Sequence, residues 1–217
     1  MALTLVIGSK NYSSWSLRPW ILLKHLGLEF HERVLAIYTA EFYAELRKIT
    51  PAGRVPVLLD GDLRIWDSLA ICEYLAEKAG RGWPTDAADR AHARVLSAEM
   101  HSGFQTLRSA CPFNARARNR NVPQTPELLA DVRRIDEMWA DCRRRFGRRG
   151  QWLFGEYSIA DAMYSSVAVR FNTYGAGLSA PSREYMNTVL ADPPLIDWLR
   201  AAESEPHRAE AIDAVGR

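Results

Sequence analysis

Along the first eighty positions, apolar residues come in short runs separated by turn residues, and the runs alternate between two periods. Ala2–Gly8 is rich in Leu, Val and Ile and predicts a strand. Leu17, Trp20, Ile21, Leu23 and Leu26 recur near helical spacing, and Gly27 stops the pattern. Pro19 places the start of this helix close upstream, because proline is harmless in the first turn, where amides have no intrahelical partner. Ser13–Ser16 therefore stands at its N-terminus, with Ser16 or Ser14 as cap. His31–Ile37 predicts a second strand and Thr39–Ile49 a helix capped by Thr39. Val55–Leu59 and Leu63–Trp66 flank the turn pair Asp60-Gly61 and read as a hairpin. Ser68–Lys78 is a further helix, with Leu69, Cys72, Tyr74, Leu75 and Ala76 near one face and Gly80 after it.

From Ala87 onward no strand pattern recurs. Arg90–Ala110 predicts one long helix. Thr125-Pro126 opens another that runs to about Phe146, and Ser158–Phe171, Ser182–Leu190 and Pro194–Ala202 follow. No repeat of solenoid period is present. The Gly/Pro-containing stretch Gly80–Asp86 marks the change of character. The expected class is α/β plus all-α. Residues 1–80 form a βαβ-ββα domain, 81–86 a linker and 87–217 an all-helical domain.

Composition narrows this picture. With 47% hydrophobic and 25% charged residues, the 217-residue chain is ordinary for one or two globular domains. A net charge of +2 gives no bulk electrostatic grip on nucleic acid. The Arg-rich run at 143–149 ends a helix, where cations suit the dipole, and it lacks interleaved aromatic residues. Cys72, Cys111 and Cys142 are too few and too odd in number for a disulfide scaffold. His92 and His101 have no partner at metal spacing, so no metal site is expected. The N-terminal apolar run is too short for a signal-peptide core, and no run approaches bilayer length. The expectation is a soluble, reduced, cytoplasmic protein without membrane or nucleic-acid partners.

Three loops carry candidate chemistry. In Thr50–Pro56, a cis Val55–Pro56 bond would turn the N–H and C=O of Val55 toward an extended peptide-like ligand; otherwise the segment is a plain turn. Asp67-Ser68 opens a helix whose amides attract an anion, while the Asp67 carboxylate suits an ammonium. Together they fit an α-amino-acid head group. In Ser13-Ser14-Trp15-Ser16, a hydroxyl at a helix N-terminus can donate to an anion.

These loops sit in a chain that resembles the cytosolic glutathione S-transferase family over essentially its whole length. The resemblance rests on the strand–Ser-loop–helix opening, on T-P-A-G-R-V-P-V-L, on W-D-S-L-A-I-C-E-Y-L, and on Gly155-Glu156-Tyr157-Ser158-Ile159-Ala160-Asp161. The last matches that family's N-capping box, with Ser158 and Asp161 in structural roles. The resemblance implies a thioredoxin-like N-terminal domain and glutathione as cosubstrate. Ser13 to Arg18 is most similar to the zeta class and its bacterial relatives, with Trp15 where zeta enzymes carry cysteine. By that resemblance Ser13 activates the thiol, followed in rank by Ser14 and then Tyr12. Val55 and Pro56 meet the cysteinyl backbone, Asp67 and Ser68 the γ-glutamyl end, and Lys48 or Arg54 the glycyl carboxylate.

A free thiol near pKa 8.5 is about 3% ionised at pH 7, so lowering it by about two units makes the thiolate dominant. The protein thus activates a nucleophile that belongs to its cosubstrate, and its own cysteines are not required. The electrophile pocket is expected between the domains, at Phe113, Asn114, Arg116, Tyr164 and Arg170. The implied activity is conjugation of small hydrophobic electrophiles by a homodimer. A zeta-like cis–trans isomerase of the maleylacetoacetate type and a non-enzymatic interaction protein on the same fold are the alternatives.

Overall fold

The computed structural model describes residues 2–217. Four strands form one sheet: β1 (Leu3–Gly8), β2 (Phe30–Leu35), β3 (Val57–Asp60) and β4 (Leu63–Ile65), in the order β2-β1-β3-β4. β1 runs parallel to β2 and antiparallel to β3, and β3 pairs with β4 as a hairpin. A helix, α1 (Ser14–Leu26), joins the parallel pair, as parallel strands require. Next come α2 (Ala40–Ile49) between β2 and β3 and α3 (Ser68–Ala79) after β4. This is the βαβ-ββα order predicted from the periodicity, in the thioredoxin-like fold that the resemblance implied.

Ten α-helices are present among the described residues. The remaining seven are α4 (Ala87–Ser102), α5 (Gln105–Ala110), α6 (Pro126–Phe146), α7 (Ile159–Tyr174), α8 (Ala180–Leu190), α9 (Pro193–Ser204) and α10 (Glu210–Asp213). Thr39 caps α2 by accepting from Phe42 N, and Thr125 caps α6 by accepting from Leu128 N. The capping box at Ser158 and Asp161 forms at the start of α7. The Asp161 carboxylate also accepts from Leu153 N and Tyr185 Oη at 3.0 Å, so it ties three segments together.

Four local expectations need correction. Pro19 lies at the sixth residue of α1, past the first turn, and this leaves the Trp15 carbonyl without its helical donor. Ser13, rather than Ser14 or Ser16, takes the cap position of α1. Asp67, rather than Ser68, caps α3, with Oδ1 accepting from Leu69 N and Ala70 N. The single helix expected over Arg90–Ala110 is two, broken at Gly103-Phe104, where Phe104 adopts φ +57°.

One hydrophobic core runs through both halves. Leu17, Trp20, Ile21 and Leu23 of α1 join Ile71 and Leu75 of α3, and Met163 and Val167 of α7 belong to the same buried cluster. The first helix is thus held from both sides, which fixes the serine loop at its start. No described helix is long and apolar enough to cross a membrane.

Candidate active site

The serine loop is shaped by close approach. A Cβ on Gly8 would lie 2.5 Å from Ile37 Cγ2 and 3.1 Å from Ser13 Oγ, so the tight passage from β1 into the loop excludes a side chain there. Ser9 O accepts from Tyr12 N and Ser13 N, which folds the loop back onto the start of α1. Gly8 N donates to Ser16 Oγ at 3.1 Å, and Ser16 and Ser13 share a hydrogen bond of 2.7 Å between their hydroxyls. Ser13 therefore makes no side-chain cap bond to α1. The first amides of the helix remain turned toward any anion placed there.

Ser14 begins the helix and has a different partner. Arg170 of α7 donates from Nη2 to Ser14 Oγ at 3.2 Å. Its Nε donates to Cys111 O at 2.9 Å and its guanidinium lies over the Phe113 ring. Burial, with the nearby Arg108 charge, lowers the Arg170 pKa to about 10. Arg18 is fully buried one turn further along α1, and its Nε and Nη1 have no hydrogen-bond partner. Burial first, then the charge of Arg170, lowers it to about 9. Two buried guanidiniums thus place strong positive potential behind the two serines.

A cleft of about 670 Å³ opens beside this helix end. Its inner wall is the Trp15 ring, with the Arg18 and Arg108 guanidiniums 4.1 and 5.1 Å from the ring centre. Ser13, at the cap position of α1, and Ser14, its first residue, are 6% and 7% exposed and do not themselves line the cleft. Val55 and Pro56, joined by a cis peptide bond, form a second wall, and Arg54 stands beside them without an ion-pair partner among the described residues. Val55 N–H and C=O take no partner within the described chain. On the third wall, the Ser68 hydroxyl is buried and unpartnered. Asp67 Oδ2 contacts His101 Nε2 of α4 at 2.8 Å. Burial lowers the His101 pKa despite Asp67, and Arg18 and Arg108 act in the same direction.

Residues 54–56 and 67–68 therefore meet across one cleft, which the serine loop reaches through Trp15. Lys48 does not join them. It is 69% exposed and pairs with Glu45 at 2.5 Å, so of the two expected cations Arg54 is the one that lines the cleft.

The expected electrophile set is largely dispersed. Asn114 Nδ2 donates to Asp213 at 2.7 Å, and Arg116 donates to Tyr12 Oη and to the carbonyls of Glu205 and His207. Tyr12 in turn donates to Asp213 and accepts from Ala209 N. Tyr12, Asn114 and Arg116 thus dock the C-terminal tail, which the sequence periodicity did not reveal. Tyr164 is buried with its hydroxyl on Leu96 O, a core position. Phe113 is buried against Arg170, and Arg170 alone of the five is hydrogen-bonded to one of the loop serines.

Trp15, His101 and Arg108 are among the cleft residues that sequence reasoning did not assign to the site. His101 had been weighed only as a metal ligand, and no metal-binding cluster occurs among the described residues. The three cysteines are free and buried, and burial pushes the Cys111 thiol up to about 11 and the Cys142 thiol up to about 12. None is poised as a nucleophile.

Residues 12–78 match the protein family described as "Glutathione S-transferase, N-terminal domain". The chain is similar to a probable maleylacetoacetate isomerase of Caenorhabditis elegans, 36% identical over 101 residues, covering 45% of this chain and 46% of that protein. It is also similar to the dichloromethane dehalogenase of Methylophilus leisingeri, 37% identical over 87 residues, covering 38% and 32%. These matches span less than half the length of either relative. Among solved structures, a glutathione transferase homolog from Burkholderia GL BGR1 with bound glutathione superposes with a TM-score of 0.72. It is 22% identical, with 94% of this chain and all of that chain covered, which shows a shared fold.

Proposed function

The chain belongs to the glutathione S-transferase family, and from that premise we propose that it binds glutathione in the cleft and activates its thiol through Ser14. The observation that carries the reading is the donation from Arg170 Nη2 to Ser14 Oγ at the open N-terminus of α1. A serine can donate only one hydrogen. With its oxygen already accepting from a guanidinium, the Ser14 hydroxyl is left to donate to a thiolate, and the cationic donor makes it more acidic. Ser13 has an equivalent relay from Gly8 N through Ser16, but every donor in it is neutral. This reverses the order expected from the sequence, in which Ser13 ranked first.

The unfinished bonds of the cleft match the rest of a γ-glutamyl tripeptide. Val55 N–H donates to the cysteinyl main chain and Val55 C=O accepts from it, Ser68 Oγ and the Ser68 amide take the γ-glutamyl carboxylate, Asp67 takes the ammonium, and Arg54 takes the glycyl carboxylate. The thiol proton leaves to solvent. The thiolate then attacks an electrophilic carbon held against Trp15, an S–C bond forms, and the leaving group departs with its electron pair. Stabilising the thiolate by about two pKa units corresponds to about 2.7 kcal/mol, within reach of one charge-assisted bond and a helix end.

A second reading is a glutathione-dependent cis–trans isomerase. Its support is the serine motif shared with the zeta class and the similarity to the probable maleylacetoacetate isomerase. Parallel assays with an aryl halide and with maleylacetoacetate decide between the two readings. Conjugate formation from the halide with no turnover of the dienone supports the transferase, and the reverse outcome overturns it. By family resemblance the protein is a homodimer, which sedimentation tests.

A further inference from the structure

The turn between β1 and α1 leads into the serines, and its main chain is held from the helical half. Lys10 N donates to Glu205 Oε1 at 2.6 Å, and Asn11 N donates to Glu205 Oε2 at 3.0 Å. Lys10 O accepts from Trp198 Nε1 at 3.0 Å, and Asn11 O accepts from Ala115 N at 2.9 Å. All four main-chain polar groups of this residue pair thus find partners between positions 115 and 205. Both residues are buried, Asn11 completely. The Lys10 ammonium is fixed as well, 5.0 and 5.4 Å from the ring centres of Trp20 and Trp198 and 2.7 Å from Glu32.

Glu205 supplies the one carboxylate among these main-chain partners. It spans two successive amides, and a charge-assisted contact of this kind is stronger than one to a neutral acceptor. Glu205 sits at the C-cap of α9, where its N–H donates to Ala202 O, so α9 itself anchors the carboxylate. The path from the two amides to the serines is short. Asn11 is three positions from Ser14, and Ser9 O accepts from Tyr12 N and Ser13 N across the same turn. Without the carboxylate, two buried amides lose their acceptor, and the turn must shift to recover one. Such a shift moves the serine hydroxyls out of line with a sulfur, and hydrogen bonds weaken steeply with misalignment. We propose that Glu205 is a positioning residue for thiol activation, on the reading that the loop serines stabilise the glutathione thiolate. Glu205 does not line the cleft, so it acts on the serines and leaves the binding of the tripeptide alone.

The test is an ultraviolet titration of the bound glutathione thiolate, with kcat and KM measured across pH, in the full chain and three variants. Glu205→Gln removes the charge and one of the two acceptors. It should raise the thiol pKa by about one unit and lower kcat about threefold at pH 7, with kcat at pH 9 unchanged and the glutathione KM within about twofold. Glu205→Asp keeps both acceptors on a shorter side chain and should raise the pKa by about a third of a unit. It carries the test should Glu205→Gln fail to fold. Asp213→Ala breaks the bonds of the tail to Tyr12 and Asn114 without touching Lys10 or Asn11, and should leave the pKa in place. The direction of the shift separates positioning from simple charge, because removal of a nearby negative charge by itself lowers a thiol pKa. A fall or no change in the Glu205 variants, or a rise in Asp213→Ala equal to that in Glu205→Gln, would overturn the proposal. A parent thiol already near 8.5 would overturn the thiolate reading and the role of Glu205 together. A lowered parent value that the Glu205 variants leave unchanged would overturn the role of Glu205 alone.

Discussion

Tyr12 and Ser14 stand two residues apart and have opposite surroundings. The Tyr12 hydroxyl is complete: it donates to Asp213 and accepts from Arg116 and Ala209 N. The Ser14 hydroxyl accepts from one guanidinium and has no acceptor for its own hydrogen. The two sides of the loop differ in the same direction but less sharply. On the tail side, Asn114 and Arg116 are bonded to the C-terminal segment and add rigidity. On the cleft side, Ser68 Oγ, His101 Nδ1 and two nitrogens of Arg18 lack partners, against Asn11 Nδ2 and His207 Nε2 on the tail side. Buried polar groups are ordinarily satisfied, so a cluster that is not marks the place where a ligand completes the structure.

The largest test of this contrast is at the serines. Ser14→Ala should lower kcat/KM for conjugation about 25-fold at pH 7, the consequence of a thiol pKa raised by about two units from near 6.5. Ser13→Ala should cost less than about tenfold, since its relay is uncharged. Next come the two cations once considered for the glycyl carboxylate. Arg54→Ala should raise the glutathione KM about tenfold or more, the worth of one charge-assisted hydrogen bond. Lys48→Ala should leave it within about twofold, because that side chain is solvated and bound to Glu45. Equal effects of these two substitutions would dissolve the distinction between open and completed groups.

On the tail side, Tyr12→Phe should leave conjugation unchanged and lower folding stability by about 1–2 kcal/mol, read by chemical denaturation. A large loss of turnover in that variant would return Tyr12 to the catalytic group.

The smallest effect concerns His101. Burial holds its pKa below the usual histidine value, so it is neutral at pH 7 and charges as pH falls through that lowered value. Its depressed pKa contributes stability above the unfolded value that is lost on acidification. The groups facing it are Asp67 at the start of α3, Arg18 of α1 and Arg108 of α5. The imidazolium competes with the ligand ammonium for Asp67, so S-methylglutathione should bind several-fold more weakly at pH 5 than at pH 7. His101→Gln should flatten that dependence.

How much of this was legible in the sequence follows from the range of the interactions. Thr39, Thr125 and the Ser158/Asp161 box act within one turn, so local pattern found them. Val55-Pro56 and Asp67-Ser68 were found because short motifs fix their backbone. Arg170 Nη2 on Ser14 spans 156 positions and Arg116 on Tyr12 spans 104, and no periodicity encodes such pairs. The break at Gly103-Phe104 was missed because apolar spacing continues across it. Asn114 and Arg116 were assigned to the pocket from their place in a loop, before the tail that claims them was visible. Trp15 was noted only as a departure from zeta sequences, yet its ring forms the inner wall of the cleft.

The most direct measurement is an ultraviolet titration of the thiolate of bound glutathione in the parent protein, Ser14→Ala and Ser13→Ala. The account predicts a thiol pKa near 6.5 in the parent, about two units below the free value. It should return to near 8.5 in Ser14→Ala and move by less than one unit in Ser13→Ala. A full return in Ser13→Ala with no change in Ser14→Ala would contradict the account.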